Sequence, residues 1–217
     1  MGEITVARRR GRFLIHTFDG AGDILPTYPL TTRPERWGRS FFMSVALQAS
    51  DISRALIRIS HEILEANTDS SQITLLGIPT RGAHLALRIA AIMGEIAAHH
   101  IPVGMLDITM HRDDLRMRAP RAIMPTSIPP EGVDGRELIL VDDVLFSGRT
   151  IRAALDAVGE IGRPHTVQLA VLVDRGHREL PIRADFVGKN LPTSISQSVK
   201  LHMTELDGVD EVLIEEI

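Results

Sequence analysis

Ile52, Leu56, Ile59 and Ile63 recur at steps of four, three and four residues. That spacing puts them on one helical face and predicts a helix over residues 51–66, with Ser50 or Asp51 placed to cap its start. Arg54, Arg58 and His61 fall together on another face of the same helix. Residues 73–78 form a short, nearly continuous apolar run that predicts a buried strand, stopped by Pro79-Thr80-Arg81-Gly82. Residues 83–96 return to helical spacing, and residues 103–110 predict another strand. From 115 to 135 the chain holds four Pro and three Arg with little periodicity, which predicts a long mobile loop of the kind that serves as a lid. A strand over 137–143, a helix over 149–161 and a strand over 166–173 follow. Shorter strands are predicted at 185–187, 199–206 and 211–214. Alternating strands and helices give an α/β fold, a mostly parallel sheet flanked by helices on both faces. In such sheets ligands bind at the C-terminal ends of the strands.

Composition narrows the picture. With 217 residues, 44% of them hydrophobic and 24% charged, the chain can bury a full α/β core. No run of 18 apolar residues is present, so no membrane-spanning helix is expected. The absence of Cys excludes disulfides, Cys-bound zinc and thiol catalysis, and fits a reducing cytoplasm. A net charge of −4 argues against a protein coated in nucleic acid, yet leaves room for a local basic face.

The chemistry concentrates in residues 138–150, Leu-Ile-Leu-Val-Asp-Asp-Val-Leu-Phe-Ser-Gly-Arg-Thr. A buried strand ends in two adjacent carboxylates, Asp142 and Asp143. A small polar turn, Ser147-Gly148-Arg149-Thr150, then leads into a helix. Gly148 lets the backbone amides turn inward, and the helix adds its positive end, which makes a cradle for a phosphate monoester. The carboxylates repel phosphate but suit the vicinal hydroxyls of a ribose, or a magnesium ion beside them. The pair of features describes a site for a 5-phosphorylated ribose. A Walker B strand would need an upstream G-x-x-x-x-G-K-[ST] loop, which the chain lacks. A response-regulator receiver would open on its acidic pair and leave Ser-Gly-Arg-Thr without a role.

This run resembles the phosphoribosyl pyrophosphate (PRPP) motif of type I phosphoribosyltransferases. The wider sequence resembles one family of them, the bifunctional pyrimidine operon regulators that are also uracil phosphoribosyltransferases. The likeness is carried by residues 54–63, 76–82, 107–115, 138–150 and 171–194, within residues 43–217. It implies the type I phosphoribosyltransferase fold with a hood and a flexible loop, and transfer of phosphoribose from PRPP to uracil, yielding UMP and pyrophosphate with magnesium as cofactor. In that role Asp142 and Asp143 hold the ribose hydroxyls with magnesium nearby, and Ser147, Gly148, Arg149 and Thr150 hold the 5-phosphate. Thr80, Arg81 and Gly82 resemble the pyrophosphate loop, with Arg81 offering a bidentate fork. Arg112, at the mouth of the long loop, meets pyrophosphate when the loop closes. Uracil is expected under the hood beside Val173, Asp174 and Arg175.

The resemblance also implies a second activity. Arg54, Arg58 and His61 on the first helix, with His177, Arg178, Arg183 and Lys189, would bind the leader messenger RNA of pyrimidine operons when UMP or UTP fills the nucleotide pocket. From charge alone, a solvated basic face and an RNA-phosphate surface both fit these residues. Aromatic residues make up only 4% of the chain, so stacking platforms for splayed bases are not expected. The competing reading is a plain nucleobase phosphoribosyltransferase with no RNA role. A homodimer or higher homo-oligomer and a cytoplasmic location complete the expectation. Residues 1–42, with Arg8, Arg9, Arg10 and Arg12 and weak periodicity, lie outside the likeness. They are expected to be a disordered extension or the product of a misassigned start upstream of Met43.

Overall fold

The structure is a computed structural model that describes residues 4–9, 12–17, 43–113 and 125–217. The chain divides into two compact units, Met1–Ser40 and Phe41–Ile217. In the first, strands β1 (Ile4–Arg9) and β2 (Arg12–Thr17) pair antiparallel with Arg9 opposite Arg12. The rest of the expected 1–42 extension lies outside the described residues.

The second unit is built on five parallel strands: β4 (Ile73–Gly77), β5 (Val103–Met105), β6 (Glu137–Leu145), β7 (Thr166–Asp174) and β8 (Phe186–Asn190). Their spatial order is β5-β4-β6-β7-β8. Three helices complete the unit's main layers: α1 (Ala49–Ala66), α2 (Arg81–Ala97) and α3 (Arg149–Ile161). Strand β6 sits at the centre because both of its faces are apolar. Ile139 and Val141 enter one core with the buried faces of α1 and α2, while Leu138 and Leu140 enter the other with α3. Burial on both faces explains why this strand reads as a continuous apolar run.

A smaller antiparallel sheet forms the hood. Strand β3 (Met43–Gln48) pairs with β10 (Glu211–Glu216), which pairs in turn with β9 (Gln197–His202). The short helix α4 (Thr204–Asp207) links β9 to β10.

Several elements differ from the sequence expectation. Helix α1 begins at Ala49, and Asp51 acts from inside its first turn, where its carboxylate accepts the Gln48 amide at 3.0 Å. Strand β5 is only three residues long, and its last residue, Met105, pairs with Gly77 on one side and bridges Ser127 on the other. The tail breaks at Met203, where Asp207 takes the Met203 amide at 2.9 Å and starts α4 instead of a longer strand. Strand β3 has no sequence signature, since its pattern is exposed except at Ala46 and Leu47. Residues 115–124 of the expected loop lie outside the described residues. Among the described residues no helix is long and apolar enough to cross a membrane.

Candidate active site

The C-terminal half of β6 delivers Asp142 to two adjoining clefts and Asp143 to the first of them. Asp142 is only 6% exposed, and its Oδ1 accepts the Asp143 amide at 2.9 Å. Burial, and then the charge of Asp143, holds the Asp142 carboxyl well above the usual carboxylate range, partly offset by that amide and by Arg112. Asp143 Oδ1 accepts the Val144 amide at 2.8 Å.

The first cleft encloses about 670 Å³. Thr80, Arg81, Arg112, Asp142, Asp143 and Arg175 are among its walls, and Ser198 and Val199 close it from the hood. The second encloses about 740 Å³ around Ser147, Gly148, Arg149 and Thr150. Arg112, Asp142, Val144, Phe146 and Thr150 border both clefts. A ligand reaching from the polar turn past the acids to Arg81 would span the two.

The turn has the geometry that its glycine predicts. Gly148 adopts φ 92°, a conformation strained for any residue with a Cβ, and caps α3. The amides of Gly148, Thr150 and Ile151 make no hydrogen bond among the described residues, and Arg149 N lies 3.5 Å from Ser147 Oγ. These donors stand at the positive end of a thirteen-residue helix. The Arg149 side chain is committed elsewhere, to Asp113 at 2.6 Å and Glu179 at 2.7 Å. Glu179, and then Asp113, raises its pKa further.

Thr80, Arg81 and Gly82 lie at the start of α2, and the Pro79–Thr80 peptide bond is cis. Gly82 matters for packing. A Cβ there would stand 2.5 Å from the Val141 carbonyl oxygen and 3.2 Å from Asp142 Cα. The missing side chain lets the turn rest against the strand that carries the acids. Arg81 Nη2 pairs with Asp207 at 3.1 Å, while its Nε is buried without a partner.

The three residues expected at the base are separated. The Val173 side chain is fully buried in the core. Asp174 pairs with Arg178 and accepts the Gly176 amide at 2.9 Å. Of the three, Arg175 alone lines either of these two clefts. It is 5% exposed, lies 4.3 Å from the Phe146 ring centroid, and donates to Thr193 Oγ1, Ser194 O and Gln197 O. Burial lowers the pKa of its guanidinium.

The basic residues expected at RNA fall into two groups. Arg58 Nη2 donates to the Val187 and Gly188 carbonyls at 3.0 and 2.6 Å, which ties α1 to β8, the strand that carries Lys189. Arg54 and His61 are exposed on the same helix, with Arg54 paired to Asp51 at 2.6 Å. Arg178 and His177 instead close the loop after β7. Arg178 donates to Ile182 O, Phe146 O and Gly176 O, and His177 bonds the Thr193 carbonyl. Arg183 is exposed in the same loop.

Sequence reasoning assigned no role to Phe146, Glu179 or Asp207. Phe146 could have been singled out as an aromatic residue set between the acids and the turn. Glu179 and Asp207 carry no local signal, since their partners, Arg149 and Arg81, are 30 and 126 residues away.

Comparison with known proteins agrees with this geometry. Residues 46–205 match the family model described as a phosphoribosyl transferase domain. The chain is 62% identical over 168 residues to the bifunctional protein PyrR of Streptomyces coelicolor, covering 77% of this chain and 87% of that protein. It is 59% identical over 177 residues to the bifunctional protein PyrR of Leifsonia xyli, covering 79% and 96%. Among solved structures, a hypoxanthine phosphoribosyltransferase of Trypanosoma cruzi superposes with a TM-score of 0.60 at 11% identity, covering 80% of this chain and 96% of that one. One from Staphylococcus aureus gives 0.56 at 15% identity, covering 78% and 90%. At those identities the likeness concerns the fold.

Proposed function

The chain belongs to the bifunctional PyrR family, on a phosphoribosyl transferase domain, and from that premise we propose that it has two linked activities. It converts uracil and PRPP to UMP and pyrophosphate. It also binds pyrimidine operon leader RNA when uridine nucleotides are plentiful, attenuating transcription or translation. The observation that carries the first activity is the pair of joined clefts, in which Asp142 stands between the open amides of the Ser147–Thr150 turn and the cations Arg81 and Arg112.

The difficulty of the reaction is charge, because pyrophosphate departs as the anomeric carbon becomes cation-like. Catalysis therefore rests on positioning and on stabilising the leaving group. The turn amides, with the Ser147 and Thr150 hydroxyls, fix the 5-phosphate. Asp142 and Asp143 accept from the ribose hydroxyls and fix the anomeric carbon over the cleft. Arg81 and Arg112 receive the pyrophosphate. Arg175 and the backbone at the end of β7 face the carbonyls of uracil, with Val173 contributing main chain alone. Two adjacent carboxylates beside a phosphate site fit magnesium, which binds through one or two carboxylates and substrate phosphates. When bound, magnesium would neutralise charge on the pyrophosphate.

For RNA, Arg54, Arg58 and Lys189 supply cations for phosphates, on a face that also carries His61. UMP or UTP in the clefts favours the RNA-binding form by differential affinity. The proposal includes a cytoplasmic homo-oligomer that pairs two such faces, and Met43 as the start of the functional domain. A uracil-plus-PRPP turnover assay tests the enzyme, and activity on guanine or orotate instead would overturn the substrate. Titration of leader RNA with and without UMP tests regulation, and unchanged affinity would reject it.

A further inference from the structure

Arg81 faces the cleft proposed for pyrophosphate, yet its guanidinium is already engaged. Nη2 reaches Asp207 Oδ2 at 3.1 Å and Oδ1 at 3.2 Å, both at the long end for a charged pair. Nε is buried and has no partner. The arginine is therefore held but incompletely satisfied. Asp207 is better anchored, since its carboxylate also takes the Met203 amide at 2.9 Å. That amide, and then Arg81, holds its pKa below the usual range against some desolvation, so it stays charged.

The hood does not depend on this contact. Arg88 of α2 binds Glu205 at 2.6 and 2.9 Å and Asp210 at 2.8 and 2.9 Å. These four shorter bonds fasten the same stretch of hood about two helical turns along α2 from Arg81. The longer, weaker pair is the one that touches the cleft.

We propose that Asp207 is a positioning residue that holds Arg81 in place of pyrophosphate, lowering the affinity for that product and easing its release. When pyrophosphate enters, its greater charge draws Arg81 from Asp207. When it leaves, Asp207 takes the guanidinium back. This rests on the phosphoribosyltransferase reading of the site.

The test uses the full-length protein and magnesium pyrophosphate. Binding is measured by calorimetry, and product inhibition in the uracil-plus-PRPP assay. Asp207→Asn keeps the acceptor for Met203 and removes the charge that holds Arg81. It should tighten pyrophosphate binding and inhibition by roughly two- to fivefold, the range expected when a partly exposed ion pair is released. The KM for uracil should stay unchanged. In an Arg81→Gln background the same change should have no effect. Glu205→Gln, which loosens the hood without touching Arg81, should leave the pyrophosphate constants at their original values. Unchanged binding in Asp207→Asn would overturn the proposal, as would an equal shift in Glu205→Gln or persistence of the effect without Arg81. A parent protein that binds pyrophosphate but turns over no uracil removes the uracil assignment while the calorimetric test still decides the role of Asp207. A parent that binds neither PRPP nor pyrophosphate removes both.

Discussion

Arg178 Nη1 donates to the Phe146 carbonyl at 2.9 Å, joining the loop after β7 to the residue just before the Ser147–Thr150 turn. The same guanidinium holds Ile182 O, Gly176 O and the Asp174 carboxylate. All three guanidinium nitrogens are engaged inside the protein, so the loss of this side chain reaches beyond the surface. Arg178→Ala should destabilise the fold by about 1–3 kcal/mol, the cost of leaving half-buried acceptors and a carboxylate unpaired. It should also lower turnover, because Phe146 borders both clefts. Chemical denaturation and initial rates check this. A variant with normal stability and turnover but weak RNA binding would show that Arg178 serves RNA alone.

Asp142 should cost the protein stability at neutral pH. Its folded-state pKa is raised by burial and by Asp143. The folded protein thus keeps this proton to higher pH than the unfolded chain does. The stabilisation is complete below the unfolded value and is lost as pH rises through the folded one. Asp142→Asn removes that loss. Its Tm should exceed the parent's at neutral pH by about 2–4 °C for each kcal/mol recovered, and the gap should close in acid. Turnover should vanish in the Asp142→Asn, Asp143→Asn double variant with the fold intact. Calorimetry across pH decides the first claim, and a lower Tm for the Asn variant at neutral pH contradicts it.

Gly148→Ala should disable the phosphate cradle. The residue holds φ 92°, and an added Cβ would lie 3.4 Å from the side chains of Leu180 and Ile182. Space is adequate, so the cost is backbone strain of about 1–2 kcal/mol. The turn would relax and its amides swing out of line. We expect a higher KM for PRPP with little change in the KM for uracil, measured by steady-state kinetics. An unchanged KM for PRPP would place the 5-phosphate elsewhere.

Lys189→Ala should weaken leader-RNA binding without touching catalysis. Lys189 is exposed on β8, beyond the carbonyls that anchor Arg58, and lines neither cleft. Removing one phosphate contact should reduce the salt slope of RNA affinity by roughly 0.7–0.9. Filter binding at several salt concentrations measures it. Arg58→Ala should do the same and also lower stability, because Arg58 ties α1 to β8.

Much of the parallel sheet was legible in the sequence, because strands buried on both faces read as unbroken apolar runs and α3 is announced by Ser147-Gly148-Arg149-Thr150. The hood was less so. Strand β3 is mostly exposed, and α4 depends on Asp207 reaching back to Met203, a tertiary choice that periodicity does not record. At the site, residues adjacent in sequence, such as Asp142 through Thr150, were found as a block. Pairs made across the fold were not, and Arg178 could be read as a free surface cation because three of its four acceptors are backbone carbonyls, which every residue carries.

The hydrogen at Gly82 has a wider consequence. Since nothing larger fits against Val141 and Asp142, the groove proposed for leaving group and sugar is machined into the scaffold's framework. Divergence can remodel the overlying cover and the surrounding ramparts, and so change what is recognised, while the reacting atoms keep the same bench beneath them.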